Sequence, residues 1–91
     1  MKFNIVHFEN KRNFFSGYNG GRLLVTDSEY ILKWLFFNVV RFPKAETQIV
    51  PVPDGLLFQG LYFKCGKKIW ELWFWPKTAE KVYRLYLNDE L

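Results

Sequence analysis

Turn signals at regular intervals constrain this chain more than any other feature of its sequence. Short apolar runs between such turns indicate an antiparallel β-sheet, folded as a meander or barrel. Glycine adopts the positive φ that tight hairpin turns need, and Asn and Asp tolerate it. The four signals are Asn19-Gly20-Gly21, Thr26-Asp27-Ser28, Pro53-Asp54-Gly55 and Cys65-Gly66-Lys67. The runs between them predict about seven strands, at about 2–8, 22–27, 29–37, 38–43, 47–52, 56–65 and 68–75.

Three of these runs also indicate where a strand lies in the sheet or how it is shaped. Pro51 lacks a backbone donor and Pro53 follows it, so segment 47–52 belongs at a sheet edge. Gly60 inside the 56–65 run predicts a bulge or a sharp bend. The run 29–37 is apolar on both faces toward its end, which is typical of a strand that another element or a partner covers.

The hydrophobic period changes after Pro76. From Thr78 onward the apolar residues recur at helical spacing, on one side of the segment, and Pro76 or Thr78 is suited to the first turn. The apolar side consists of Ala79, Val82, Tyr83, Tyr86 and Leu87. We expect a helix at about 77–89 that closes the preceding sheet, giving a mainly β (α+β) fold and a single domain over residues 1–91.

Composition supports a compact domain without disulfides. Of the 91 residues, 49% are hydrophobic and 21% are aromatic, enough to build a core in a short chain. Cys65 is the only cysteine, and the N-terminus lacks the apolar run of a signal peptide, so we expect a cytoplasmic protein. The longest apolar stretch, 30–42, is too short to span a bilayer, which needs about 20 residues.

The segment from Gly20 to Asp27, followed by Tyr30-Ile31-Leu32, resembles the glycine-led first hairpin of the GRAM and bacterial pleckstrin-homology-like families. Further stretches resemble later parts of the same pattern, over roughly 14–87: Phe42-Pro43 with Ile49, Leu61-Tyr62-Phe63, Gly66-Lys67 and Trp70 to Trp75. The resemblance implies a strongly bent sheet or partly open barrel plugged by the helix. It also implies a non-enzymatic module that binds phosphoinositides, peptides or proteins. Asp27 and Glu29 stand where lipid-binding members carry basic residues.

Catalytic and metal-binding constellations are not evident in the sequence. His7 and Cys65 are single residues of their kinds, so a four-ligand Cys/His zinc site cannot be assembled. Cys65 lies beside Lys64 and near Lys67, yet a lone cysteine most often packs as a small hydrophobic residue. The glycines precede strands rather than a helix, unlike phosphate-binding loops. We expect no enzyme activity, no metal and no cofactor.

Basic residues suggest one candidate binding site. Lys64, Lys67 and Lys68 cluster on a predicted turn and could contact anionic lipid at a membrane surface. The alternative is an ordinary solvated turn in a chain whose net charge of +4 serves solubility. Lys11-Arg12 before Phe14-Phe15 offers a similar pairing. Nucleic acid is not favoured, because the other basic residues are dispersed.

Tryptophans suggest a second candidate. Alternation along 70–75 puts Trp73 and Trp75 on the side opposite Trp70, Leu72 and Phe74. They either lie under the C-terminal helix or form an exposed interface, for which Trp is well suited. The sequence therefore predicts a module for protein interaction or for self-association, the latter as a homodimer. The alternative is peripheral binding to anionic membrane lipid through the basic turn.

Overall fold

Two antiparallel sheets and one C-terminal helix make up the computed structural model, which describes residues 1–12 and 17–89. Phe14 and Phe15 lie outside the described residues. The described strands are β1 Lys2–Asn4, β2 His7–Asn10, β3 Gly17–Asn19, β4 Arg22–Val25, β5 Glu29–Trp34, β6 Phe37–Pro43, β7 Thr47–Pro51, β8 Gln59–Cys65 and β9 Lys68–Phe74. A 3-10 turn spans Lys44–Glu46, and helix α1 spans Pro76–Asp89. One sheet has the order β1-β4-β5-β6 and the other β3-β2-β9-β8-β7, so the mainly β prediction is confirmed; in the described ranges the sheets do not form a closed barrel.

The predicted strand 2–8 is wrong as a single unit, because the chain changes sheets within it. β1 pairs with β4, whereas β2 pairs with β3 and β9. At the crossing, the Ile5 N–H donates to Gly21 O at 3.0 Å and the Val6 N–H donates to Trp73 O at 2.8 Å. Consecutive residues therefore bond to different sheets. This crossing and the short β3 raise the described strand number from seven to nine.

The core lies between the sheets and under the helix. Phe63 on β8 is fully buried, with its ring centroid 5.6 Å from that of Tyr30 and 5.3 Å from that of Phe42. Both partners belong to the other sheet, so these rings join the two layers. The helix adds Ala79, Val82 and Tyr86 to the same core, as the apolar stripe predicted, whereas Leu87 of that stripe is 44% exposed. It begins at Pro76, where a missing N–H has no cost.

Three local predictions have different outcomes. β7, with Pro51, is an edge strand as predicted. Of the bulge or sharp bend predicted at Gly60, the bulge is wrong, because β8 and β9 stay in continuous register past it. The irregularity lies instead in β6, where Leu32 pairs with Val40 and Lys33 with Asn38, leaving Val39 extra.

The end of the predicted strand 29–37 also differs. β5 stops at Trp34, which pairs with Phe37 across a two-residue turn formed by Leu35 and Phe36. The apolar run continues through this turn, so alternation alone could not locate it. Within the described ranges, no helix has both the length and the apolar character needed to cross a membrane.

Candidate interaction surfaces

Trp73 lies on the outer face of the five-stranded sheet, on the side of β9 opposite the buried Leu72 and Phe74. Its indole packs directly on β8: a Cβ at Gly60 would lie 2.9 Å from Trp73 Cε2. The indole Nε1–H donates to Glu71 Oε1 at 2.5 Å. Gly60 on β8 and the Glu71 carboxylate on β9 therefore hold the half-buried Trp73 indole in one orientation.

A row of charged groups supports the carboxylate that holds Trp73. Glu71 is 8% exposed, and its Oε2 lies 3.6 Å from Lys11 Nζ. Lys11 also lies 3.4 Å from Glu9 Oε2, and His7 Nε2 lies 3.2 Å from Glu9 Oε1. The Glu71 carboxylate raises the pKa of Lys11, and the hydrogen bond with His7 lowers the pKa of Glu9. Each carboxylate in this row has a basic group beside it, so the row stabilises the sheet surface and positions the indole.

A groove lies beside Trp73, where the loop between β7 and β8 turns back toward β9. We name it the Trp73 groove; its volume is about 350 Å³, and it is lined by Asp54, Gly55, Leu56, Leu57, Phe58 and Trp73. Leu56 is fully exposed and Leu57 is 74% exposed. The loop is tight, since a Cβ at Gly55 would lie 2.2 Å from Phe58 O. Its shape therefore holds two leucines in solvent next to a fixed indole.

Trp75 extends this apolar surface. Its side chain is 57% exposed, and its ring meets that of Phe58 edge-on, with the centroids 4.8 Å apart. The predicted pair Trp73 and Trp75 is thus brought to one surface through the 52–58 loop. Neither residue belongs to the buried core that contains the helix residues Ala79, Val82 and Tyr86.

The turn between β5 and β6 forms a second apolar surface, which we name the apolar tip: Leu35, Phe36 and Phe37. Phe36 is 97% exposed, and its two neighbours are each more than half exposed. Leu35 has φ 55°, a left-handed conformation that leucine rarely adopts. Trp34 anchors the tip at its base, because its Nε1–H donates to Asn19 O at 3.2 Å and its ring lies 5.1 Å from that of Tyr18.

Two basic residues lie at the base of the apolar tip. Arg22 on β4 stands directly opposite Lys33 on β5. Like charges at paired positions destabilise a sheet. Among residues 1–12 and 17–89 neither forms an ion pair within 4.0 Å. Their positive charge is therefore available to an acidic group outside the chain.

The predicted lysine cluster forms the turn between β8 and β9. Lys64, Lys67 and Lys68 are all exposed, and Lys64 Nζ lies 5.8 Å from the centroid of the Tyr62 ring. Trp70, the other aromatic residue predicted beside them, is 9% exposed and its ring lies 6.2 Å from the buried Phe8. The turn therefore offers charge without an exposed tryptophan.

Lys68 also borders a shallow cleft between β6 and the five-stranded sheet. The cleft has a volume of about 470 Å³, and Arg41 on its other side forms an ion pair with Glu29 at 2.9 Å. The lysines reach solvent at one end of the sheet, whereas Trp73 lies five residues away from Lys68 along β9. At about 3.3 Å per residue this separates the basic turn from the Trp73 groove by about 17 Å.

Sequence reasoning missed the apolar tip and the two leucines of the groove. The signal for the tip is a continuous apolar triplet that breaks the alternation of the strand, and the signal for the groove is Leu56-Leu57 directly after Pro53-Asp54-Gly55. Comparison with protein families, curated proteins and solved structures finds no match for this chain.

Proposed function

We propose that this domain is a non-catalytic binding module that receives an apolar segment of a protein partner in the Trp73 groove. The observation that carries the proposal is the combination of a fixed indole with two exposed leucines in a tight loop. Interface residues that contribute most to affinity are commonly aromatic and sit in preformed sites, since ordering them on binding costs little. Burying one leucine completely contributes about 1.5–3 kcal/mol.

We also propose a GRAM or bacterial pleckstrin-homology-like relationship as the finer description of the fold. Its support is the hairpin formed by β4 and β5, which contains the Gly20 to Leu32 pattern, and the single helix after the last strand. Modules of this kind bind without catalysing a reaction, which agrees with a groove whose lining is mostly apolar.

Selection from a random peptide library displayed on phage tests the groove without knowledge of the natural partner. We expect enriched peptides with aromatic or aliphatic residues, binding Leu57→Glu at least about tenfold more weakly than wild type, because burial of one leucine is lost. Leu87→Glu is the matched control: it also replaces an exposed leucine by glutamate, on the helix and away from the groove. Peptides that bind Leu57→Glu and wild type equally would refute the proposal.

A second candidate function, peripheral binding to anionic lipid, is favoured by one observation about the basic turn. The Lys11 N–H donates to Ile69 O at 2.9 Å, so Lys11 and the exposed Arg12 lie near Lys67 and Lys68. Five cations therefore gather around this end of the sheet. Lysines near an anionic membrane contribute about 1 kcal/mol each.

Co-sedimentation with phosphatidylcholine vesicles, with and without phosphatidylserine, tests this second candidate. We expect binding only with phosphatidylserine, and a loss of at least about 100-fold when Lys64, Lys67 and Lys68 are all replaced by glutamate. A matched triple variant at Lys2, Lys77 and Lys81 changes the net charge equally and should retain most of the binding. Equal losses in the two variants would show a non-specific charge effect and reject the basic turn as the site.

A further inference from the structure

The Trp73 groove and the apolar tip are complementary surfaces on one chain. We infer that the tip of one copy docks in the groove of a second copy, so that the domain assembles head to tail. This inference depends on the proposed function, because it names the occupant of the same groove. The tip residues are exposed in the structure, so they do not fill the groove of their own chain.

Shape supports this pairing. The tip is convex and ends in Phe36, whose side chain is almost completely exposed, and Trp34 holds its base in place. The groove is concave, with a volume of about 350 Å³. A cavity of about 150 Å³ accommodates benzene. The groove therefore has room for the phenyl ring of Phe36 and part of a neighbouring side chain.

Charge selects head-to-tail contact over the two symmetric alternatives. Asp54 lines the groove and, within the described part of the chain, has no ion-pair partner. Arg22 and Lys33 lie at the base of the tip, also without partners there. Contact between two tips would gather four cations, and contact between two grooves would oppose two aspartates. A tip in a groove places opposite charges together, which favours correct encounter.

The size of the contact indicates weak assembly. Aromatic side chains bury about 150–250 Å² each, so the tip contributes on the order of 400 Å² and the groove a similar area. The sum lies just below the 1,000 Å² or so that a specific interface needs. Lateral pairing through β7 is disfavoured by Pro51 on that edge. We therefore expect assembly that increases with protein concentration and, because the contact is heterologous, extends beyond a dimer unless it closes into a ring.

Sedimentation velocity with two complementary variants tests the inference. Phe36→Glu keeps the groove but loses the tip, and Leu57→Glu keeps the tip but loses the groove. We expect wild type to exceed twice the 11.0 kDa monomer mass at high concentration, and each variant alone to remain a monomer. An equal mixture should form a one-to-one dimer that grows no further, since each pair has only one intact tip and one intact groove to join. Leu87→Glu should assemble as wild type does.

Several outcomes would overturn the inference. A monomeric wild type at high concentration, assembly by either variant alone, or a mixture that stays monomeric would each do so. Circular dichroism spectra identical to wild type establish that the variants fold. If the phage-selected peptides still bind the groove while wild type stays monomeric, only the second copy is rejected as occupant, and the proposed function stands. A loss of vesicle binding by Phe36→Glu with unchanged assembly would assign the tip to a membrane instead and overturn the inference.

Discussion

Replacing Gly60 by alanine should destabilise the domain and displace the indole that defines the groove. The added Cβ would lie 2.9 Å from Trp73 Cε2 and 2.9 Å from Val52 Cγ2, so the methyl group would be trapped between two side chains. Overpacking of this kind costs about 1–3 kcal/mol. Removing glycine from a strand offsets about 0.5–1 kcal/mol. The expected net loss is up to about 2.5 kcal/mol, and each kcal/mol lowers the Tm of a domain this size by about 4–8 °C.

Thermal and urea unfolding, followed by tryptophan fluorescence and circular dichroism, measure this loss. Gly17→Ala is the matched control, because a Cβ there would meet its nearest atom, His7 Cε1, at an ordinary 3.4 Å. It should leave stability unchanged or raise it by up to about 1 kcal/mol. Adding Trp73→Leu to Gly60→Ala should recover at least about 0.5 kcal/mol relative to additivity, since the overlapping ring is gone. If Gly60→Ala is as stable as Gly17→Ala, or if the double variant is strictly additive, the added methyl group does not overlap the Trp73 ring.

Three further changes probe the support of the two surfaces. Glu71→Leu should lower the free energy of unfolding in urea by about 1–3 kcal/mol, because it removes the acceptor of the Trp73 N–H. Glu71→Gln retains an acceptor and should lower it by less than about 1 kcal/mol. Equal losses in the two variants would contradict the role of the hydrogen bond. The hydrogen bond with His7 lowers the pKa of Glu9 in the folded state. The ionised Glu9 therefore stabilises the folded domain above the ordinary glutamate pKa, and this contribution is lost as the pH falls below about 4. Because Glu9 is partly exposed, the loss should be less than about 1 kcal/mol, and Glu9→Gln should remove this part of the acid slope in unfolding measurements. Leu35→Gly should relieve about 1 kcal/mol of backbone strain, offset in part by glycine's chain entropy, and should weaken self-assembly without lowering Tm; a clear drop in Tm would contradict the strain.

Local patterns were sufficient for most elements of the fold. The Gly66 turn and the alternation around it predicted β8 and β9 closely, because each strand has one buried face and a glycine with φ 58° between them. The change of period at Pro76 predicted the helix, because its apolar residues recur on the one side that packs on the core. The apolar alternation shifts phase at the crossing, from Phe3 and Ile5 to Val6 and Phe8, but such a shift does not reveal that the two halves join different sheets. Only the backbone bonds to Gly21 and Trp73 distinguish the two sheets.

The candidate surfaces depend, more than the strands and the helix do, on contacts between residues that are far apart in the sequence. Alternation put Trp73 and Trp75 on the outer side of β9, but whether the helix or solvent covered them was left open by the sequence. The answer depends on the 52–58 loop, which brings Phe58 to Trp75 and leaves Leu57 in solvent. The sequence around Gly60 predicts a bulge or a sharp bend, whereas in the structure its missing side chain lets the Trp73 indole lie on the strand. A contact between residues on neighbouring strands leaves no periodic trace.

The apolar tip shows why sequence rules fail where function is expected. Those rules place Gly, Asn or Asp at a turn position with positive φ and put apolar residues inside, because each choice lowers the local free energy. Leu35 and Phe36 do neither: leucine in a left-handed conformation costs about 1–2 kcal/mol, and Phe36 gains nothing from burial in its own chain. Two local costs at adjacent residues are not offset by any contact that the described fold makes with Phe36. The proposed docking of the tip on a second copy would offset both costs, whereas the exposed lysines of the basic turn carry no comparable local cost, so the tip is the stronger basis for proposing a partner.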